Sequence, residues 1–198
     1  PGRGRMTLPD LVRAESSPTP FPHFSVSEVI SAEVAGAALR WLRDEAPWEL
    51  RVEDFYEQHE IDLTCETGNG VAALATPEFV AAVREAGATL LPTGGRLELV
   101  CVAAHRLTAG QTIRIHNDHI GEDETHRVLI QLNDGWKPEN GGFLMLFFDD
   151  RPETVAEVVA PANASAFGFR ISAASHHAVS TVRGGERFTI VYTFRQTA

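Results

Sequence analysis

The sequence contains few cysteines and no long apolar run. Only two cysteines occur among the 198 residues, Cys65 and Cys101, which is too few for a disulfide framework, so we expect a reducing, cytoplasmic setting. No stretch approaches the roughly 20 consecutive apolar residues that a membrane-spanning helix requires. The first five residues are not followed by an apolar segment of the signal-peptide type. The sequence therefore argues against a disulfide-stapled scaffold and against a membrane partner.

Positive charge is also scarce. Lysine and arginine total 17 against 27 acidic residues, which gives a formal net charge of -10, and Lys137 is the single lysine. A chain of this balance disfavours nucleic acid or an anionic membrane surface as a partner. A small-molecule or peptide substrate is the expectation, and the composition gives no indication of the oligomeric state.

The length predicts one domain spanning residues 1-198, because a chain of this size buries roughly 70% of the surface that it exposes when unfolded. Residues 1-22 are rich in proline and are expected to form an extended leader. Residues 23-95 are expected to supply helical support and a possible lid. Residues 96-195 are rich in strand-like segments and are expected to form the catalytic core.

The first half carries two helical patterns. Apolar residues recur at helical spacing after Ser31, which is placed to cap a helix that ends near residue 47. Thr76 followed by proline is typical of an N-cap and first helical position, and the second helix is predicted to stop around Gly87. Between these helices, residues 48-63 alternate as two strands or as one bulged strand.

The second half predicts a fold that is mainly β with flanking helices. Eight short strand-like segments separated by turns favour a barrel or a double-stranded β-helix (jelly roll), since a parallel α/β sheet would need helices between the strands. The segments are residues 96-107, 111-117, 127-133, 142-148, 155-160, 164-171, 176-182 and 187-195.

His116 and Asp118 stand two positions apart at the end of one of these strands. Side chains at i and i+2 leave a strand on the same face, so an imidazole and a carboxylate can converge on one ion. A His-x-Asp triplet alone is more often surface polarity than a metal site. Arg114 shares the strand face of His116, so it is expected to look into the same cavity, where substrate contact and internal ion pairing are equally open.

A histidine begins the strand near residue 177, and Arg187 begins the following one. In an eight-stranded jelly roll these strands can face the 111-118 strand, which brings a third ligand within reach. Two histidines and one carboxylate on one side of an ion leave the opposite positions open, as in non-haem Fe(II) oxygenases.

With these motifs in their order, the sequence resembles the Fe(II)/2-oxoglutarate-dependent dioxygenases, prolyl-hydroxylase-like branch. The resemblance covers about residues 96-195. It rests on His116-Asn117-Asp118, on Leu132-Asn133 followed by Trp136, Gly141-Gly142 and Leu144-Met145-Leu146-Phe147, and on His177-x-Val179-x-x-Val182 with Arg187 ten residues after the histidine.

The resemblance implies that His116, Asp118 and His177 hold Fe(II), and that Arg187 binds the distal carboxylate of 2-oxoglutarate. A guanidinium offers a planar fork of donors that matches a carboxylate. Thr189 lies on the strand face of Arg187 and is a further candidate cosubstrate contact, although it is equally a β-favouring structural residue.

Gln131 stands where prolyl hydroxylases commonly have a tyrosine that touches the cosubstrate, and it is also a candidate contact. Another tyrosine position of many relatives, nine or ten residues before the first histidine, falls on Leu107 or Arg106. His176 competes with His177 for the ligand role, but the spacing to Val179, Val182 and Arg187 selects His177.

The family likeness implies an enzyme that uses Fe(II), 2-oxoglutarate and O2 to hydroxylate an unactivated C-H bond of a small metabolite, amino acid or peptide, with release of succinate and CO2. Asp118 is intact, which favours hydroxylation over halogenation. No catalytic residue beyond the metal site is implied. Residues 48-70 and the 119-126 loop are the predicted lid.

Two other functions remain open. The first is a protein hydroxylase that acts on a prolyl or another side chain. The lesser alternative is a non-catalytic jelly-roll module that binds a metal for structure, which would have no need for Arg187 at its spacing. Consumption of 2-oxoglutarate separates this module from an enzyme.

Overall fold

A computed structural model describes residues 8-64, 70-121 and 123-198. Cys65 and part of the predicted lid and leader lie outside these ranges. Within them the chain forms two α-helices and twelve strands. The helices are α1 (Ala32–Asp44) and α2 (Pro77–Leu90), and the strands are β1 (Glu15–Ser17), β2 (His23–Val26), β3 (Glu49–Glu53), β4 (Tyr56–Asp62), β5 (Arg96–Leu107), β6 (Ile113–His116), β7 (His126–Gln131), β8 (Leu144–Phe147), β9 (Val155–Val159), β10 (Ala166–Arg170), β11 (His177–Val179) and β12 (Arg187–Thr197).

Both predicted helices are present and are capped as the sequence indicates. The Ser31 side chain accepts a hydrogen bond from the backbone N-H of Val34, and the Thr76 hydroxyl accepts one from that of Phe79. Helix α2 continues past Gly87, where the sequence had predicted its end. A Cβ on Gly87 would lie 3.6 Å from Leu97 and 3.8 Å from Val128, so this glycine lies at the packed contact with the sheet and does not end the helix.

All eight strands predicted for residues 96-195 are present, and the jelly-roll prediction is confirmed. The sheet is antiparallel and curls along the order β1-β2-β10-β7-β12-β5-β4-β6-β11-β8-β9, with β3 paired to β4 as a hairpin. Residues 48-63 therefore form two strands. Strand β4 joins the two halves of the curl, since it pairs with β5 along four residues and meets β6 at Tyr56 and Ile113.

The sequence did not predict the first two strands. β2 pairs with β10, and β1 pairs with β2, so the sheet extends into segments expected to be leader or helical support. Phe24 of β2 is fully buried and lies over Gly168, where an added Cβ would be 2.3 Å from the Phe24 ring. The prolines around these short strands interrupt the alternation by which strands are recognised.

The helices cover one face of the curled sheet. Buried residues of α1 and α2, such as Leu42 and Phe79, pack with Ile130, Ile190 and Tyr192 from the strands. A second apolar cluster, which includes Leu107, Leu146 and Val191, lies between the two halves of the curl. In the part of the chain described, no helix is long and apolar enough to span a bilayer. The cytoplasmic setting and the division into leader, support and core stay predictions.

Candidate active site

The side chains of His116, Asp118 and His177 converge inside the curl. The His116 Nε2 atom lies 3.2 Å from Asp118 Oδ1, and the His177 Nε2 atom lies 3.3 Å from Asp118 Oδ2. One ligand atom from each residue lies within 4.8 Å of the other two. His116 and His177 come together because β6 and β11 pair with these two residues directly opposite.

Backbone carbonyls orient both imidazoles. The Nδ1 atom of His116 lies 2.8 Å from the carbonyl oxygen of Arg114, and that of His177 lies 2.8 Å from the carbonyl oxygen of Ser175. When each Nδ1-H donates to its carbonyl, each Nε2 keeps a free lone pair pointing at the cluster. Such partners fix the tautomer and ring angle of metal-binding histidines. The donor set therefore fits a divalent ion that accepts nitrogen and oxygen ligands.

Asp118 is held by its backbone and by Arg127. Its φ of 59° is in the left-handed region, which turns the carboxylate back toward the strand that carries His116. The Arg127 Nη1 donates to Asp118 Oδ2 at 2.7 Å, while Nη2 donates to Glu124 at 2.6 Å. Although burial alone raises the pKa of Asp118, the charge of the Arg127 guanidinium holds it well below its usual range. Sequence reasoning missed Arg127, because no motif spacing marks it.

Aromatic rings enclose the two histidines. The Phe55 ring stacks on His116 with 4.4 Å between ring centroids, and the Phe169 ring lies 4.8 Å from His177. Phe55 comes from the turn of the β3-β4 hairpin and Phe169 from β10. These rings exclude water from two sides of the cluster, which strengthens electrostatic interactions there.

Arg187 is a buried cation that faces the same cavity. It is 4% exposed, its Nε donates to the carbonyl oxygen of Gly142 at 2.9 Å, and its Nη1 donates to the Thr189 hydroxyl at 2.8 Å. Within the described ranges it forms no ion pair, and burial lowers its pKa to about 10. A buried guanidinium without a counter-ion is stabilised by an anionic ligand.

The two consecutive glycines of the predicted motif make room for this cation. Gly142 has a φ of 67°, and an added Cβ would lie 3.0 Å from Arg187 Cδ and 3.2 Å from the Trp136 ring. Trp136 donates its indole N-H to the carbonyl oxygen of Gly141 at 2.9 Å. Only glycine combines this backbone conformation with so close an approach. The Gly-Gly motif therefore shapes the wall beside Arg187.

Thr189 links Arg187 to Gln131. The Thr189 hydroxyl accepts from Arg187 and donates to Gln131 Oε1 at 3.0 Å, and all three side chains are buried. Thr189 lines the cavity, whereas Gln131 lies behind it and lines a neighbouring pocket. The Gln131 amide thus reaches the cavity through Thr189.

The cavity that contains these groups measures about 550 Å³. Its wall includes the histidine-aspartate cluster, Arg187 and Thr189, together with residues of the β3-β4 hairpin and the 119-126 loop that were predicted as lid. The members from those two segments are Phe55, Tyr56, Gln58, Glu60, Ile120, Gly121, Asp123 and Glu124. Cosubstrate-sized and substrate-sized molecules fit in a space of this volume.

The expectation that Arg114 faces this cavity is wrong. The pairing of β6 with β11 shifts register between His116 and Ile113. Both residues line the cavity although they lie three positions apart, so the alternation of side chains between the two faces of the strand fails here. Arg114 is exposed and lines a separate groove on the outer side. Arg114 does not line the cavity, and its contact with a substrate stays a prediction.

His176 is not among the residues that line the cavity, whereas His177 is.

His105 takes a place near the one where relatives have a tyrosine. It is paired across β5 and β12 with Thr189 and lines the cavity, eleven positions before His116. Counting nine or ten residues back from His116 gave Leu107 and Arg106, whereas the neighbouring residue that lines the cavity is His105.

The site combines two imidazoles and a carboxylate with a buried cation that can bind a second carboxylate. This combination defines the class of non-haem Fe(II) oxygenases that use an oxo-acid cosubstrate. The family model of the 2OG-Fe(II) oxygenase superfamily matches residues 102-195. Residues 102-195 thus match the model of this superfamily, and the predicted dioxygenase class with Fe(II), 2-oxoglutarate and O2 is confirmed. No curated protein sequence is significantly similar to the chain.

Solved prolyl hydroxylases share the fold. A Pseudomonas putida prolyl-4-hydroxylase superposes with a TM-score of 0.69 at 21% identity, over 96% of both chains. A Trichoplax adhaerens prolyl hydroxylase, solved with a hypoxia inducible factor peptide fragment, has a TM-score of 0.69 at 13% identity, over 88% of this chain and 83% of that one. A viral collagen prolyl hydroxylase from Paramecium Bursaria Chlorella virus-1, solved with 2-oxoglutarate, has a TM-score of 0.65 at 11% identity, over 88% and 96%. At these identities the likeness shows the fold.

Proposed function

We propose that the chain hydroxylates an unactivated C-H bond of a small metabolite, amino acid or peptide, with His116, Asp118 and His177 as the Fe(II) ligands. The observation that carries the proposal is the buried Arg187, which has no counter-ion among the described residues and lies in the same cavity as His116, Asp118 and His177. A metal site with a structural role alone has no use for such a cation.

The bound iron and 2-oxoglutarate supply the oxidising chemistry with O2, and succinate and CO2 leave. The protein binds, orients and excludes water. Arg187 binds the distal carboxylate of 2-oxoglutarate. The Thr189 hydroxyl holds the guanidinium in place by accepting a hydrogen bond from Nη1, and Gln131 Oε1 fixes that hydroxyl by accepting its hydrogen bond. Phe55 and Phe169 keep water from the metal-binding side chains.

A protein hydroxylase that acts on a prolyl or another side chain is the second candidate, and one feature favours it. An apolar groove of about 800 Å³ lies beside the cavity and shares Phe55, Ile113 and Val179 with its wall. Arg114 also lines this groove. A peptide lying there would place one side chain in the cavity, and a prolyl or other residue of a protein would then be the target. Arg114 would contact the peptide there.

Succinate formation tests the proposal and separates the two candidates. The Fe(II)-loaded protein is given 2-oxoglutarate and O2 with free amino acids and small metabolites, with short peptides, or with folded proteins. Succinate release stimulated by free amino acids, small metabolites or short peptides supports the proposed function. Turnover on a folded protein alone would favour the protein hydroxylase. A protein that neither binds nor consumes 2-oxoglutarate under any of these conditions would contradict both and leave the metal-binding module.

A further inference from the structure

Strand β4 presents a polar face to the cavity. Tyr56, Gln58 and Glu60 alternate along this strand, so their side chains leave it on the same side, and all three line the cavity. The mechanism proposed above uses none of them. They lie on the strand that joins the two halves of the curl and beside His105 of β5.

Glu60 lacks a cationic partner among the described residues. Its Oε1 accepts from Gln58 Nε2 at 2.6 Å, and its nearest basic atom is His105 Nε2 at 4.0 Å. Burial is the main reason why the pKa of His105 falls to about 4, so this imidazole is neutral at pH 7. Burial, followed by the charge of Glu60, raises the pKa of Tyr56 to about 12, so Tyr56 is uncharged at pH 7. Neither neighbour therefore supplies a positive charge that would pair with the Glu60 carboxylate.

Gln58 provides a second unsatisfied acceptor. It is 3% exposed, and its Nε2 lies 2.6 Å from Glu60 and 3.3 Å from His105 Nδ1. Its Oε1 is buried and has no hydrogen-bond partner within the described part of the chain. The carboxylate neighbour fixes the amide orientation, because only the nitrogen can donate to it. A buried acceptor without a donor is unfavourable, and a ligand that donates there removes this cost.

The cations of the cavity are already assigned. Arg127 is held by Asp118 and Glu124, and Arg187 is held by Gly142 and Thr189 on the cosubstrate side. Asp123 adds a further exposed carboxylate at the cavity wall. The space left for a substrate is thus lined by Glu60, which has no cationic partner among the described residues, and by Gln58, whose Oε1 has no donor there.

We propose that the cavity face of β4 is a subsite for a protonated amine or a guanidinium of the substrate. Glu60 pairs with the positive charge, and Gln58 Oε1 accepts one of its N-H groups. The substrate is therefore a basic metabolite or a basic residue in a peptide. This inference rests on the proposed function. A prolyl ring in the same place leaves Glu60 without a cationic partner and Gln58 Oε1 without a donor.

Binding of charged and neutral analogues tests the subsite without turnover. The Fe(II)-loaded protein is first titrated anaerobically with 2-oxoglutarate, and then calorimetrically with L-lysine or L-norleucine and with L-arginine or L-citrulline. Blocked tripeptides with a central lysine, norleucine or proline form a second arm, which distinguishes a free substrate from a peptide. Since a hydrogen bond to a charged group contributes about 1.5-3 kcal/mol, each cation is expected to bind at least tenfold more tightly than its neutral counterpart in one arm.

Two variants locate the preference. Glu60→Gln removes the charge and keeps an acceptor for Gln58, and it is expected to lower the affinity for the cationic probe about tenfold. Glu57→Gln is the matched control, because Glu57 is exposed on the opposite face of the same strand. It is expected to keep the preference. The preference of the unaltered protein is measured independently, so a variant that fails to fold does not decide the result.

Equal affinity for cationic and neutral probes in both arms, or a preference that survives Glu60→Gln, overturns the subsite. Failure of 2-oxoglutarate to bind in the first titration instead overturns the proposed function. The two failures are thus distinguished within one experiment.

Discussion

Replacement of Arg187 by methionine is expected to weaken the binding of 2-oxoglutarate strongly and to stabilise the protein that lacks 2-oxoglutarate. The side chain is buried with two neutral acceptors and no counter-ion in the part of the chain that the structure describes. Methionine keeps much of the apolar length of the arginine and removes its charge. The two effects therefore have opposite signs in the free and bound states.

The magnitudes follow from the environment of Arg187. Burial lowers its pKa from 12.5 to about 10, and at about 1.4 kcal/mol per pKa unit this corresponds to about 3 kcal/mol of lost solvation. An oxo-acid carboxylate that accepts two N-H groups gains about 1.5-3 kcal/mol per bond. The loss of both bonds weakens binding by a factor on the order of 10² to 10⁴.

The assay is calorimetric titration of 2-oxoglutarate into anaerobic Fe(II)-loaded protein, with chemical unfolding measured without 2-oxoglutarate. Arg183→Met is the matched control, since Arg183 is exposed in the turn before β12. We expect its affinity and unfolding free energy to match those of the unaltered protein. An Arg187→Met variant that binds 2-oxoglutarate with unchanged affinity would refute the assignment of this cation to the cosubstrate.

Three further outcomes are expected. Thr189→Val removes the hydroxyl that holds Arg187 Nη1 and should weaken 2-oxoglutarate binding about fivefold, in line with one hydrogen bond of about 1 kcal/mol; unchanged calorimetric affinity would count against this role. Gly142→Ala should lower the unfolding free energy by about 1-3 kcal/mol through backbone strain and should also weaken 2-oxoglutarate binding by crowding Arg187. Gly110 has open space around it, so Gly110→Ala should leave the affinity for 2-oxoglutarate unchanged. Equal losses of affinity in the two variants would contradict the crowding argument. Burial lowers the pKa of His105 in the folded protein to about 4, so the unfolded chain binds more protons between pH 6.5 and 4 and stability is lost as the pH falls through that range. His105→Gln should remove about 3 kcal/mol of this loss, measured by urea unfolding. Identical pH profiles of the variant and the unaltered protein would argue against a neutral buried His105.

The sequence predicts the second half of the chain better than the first. Strands after residue 96 are bounded by glycine turns and alternate strongly, so all eight were predictable. The prolines near β1 and β2 hide those strands, although Phe24 completes the core by packing over Gly168. Gly87 was read as a helix end because glycine breaks helices locally, while its actual place is set by a close contact with the sheet.

The candidate site was predictable where it follows a motif. His116, Asp118, His177 and Arg187 come together as their spacing indicates. Arg114 was misplaced, because strand parity assumes a regular pairing and β6 meets β11 with a register shift. Arg127, Gln58 and Glu60 belong to no motif. They reach the cavity through pairings between strands that are distant in sequence, and only the assembled sheet reveals these pairings.

The most direct test of the account is anaerobic titration of Fe(II) together with 2-oxoglutarate into three proteins, followed by visible absorption of the bound chelate and by calorimetry. The unaltered protein and His176→Ala are expected to bind both, because His176 lies outside the cavity wall. His177→Ala is expected to lose Fe(II) binding while it keeps its fold by circular dichroism. Retention of the Fe(II) chelate by His177→Ala, with its loss in His176→Ala, would contradict the proposed metal site.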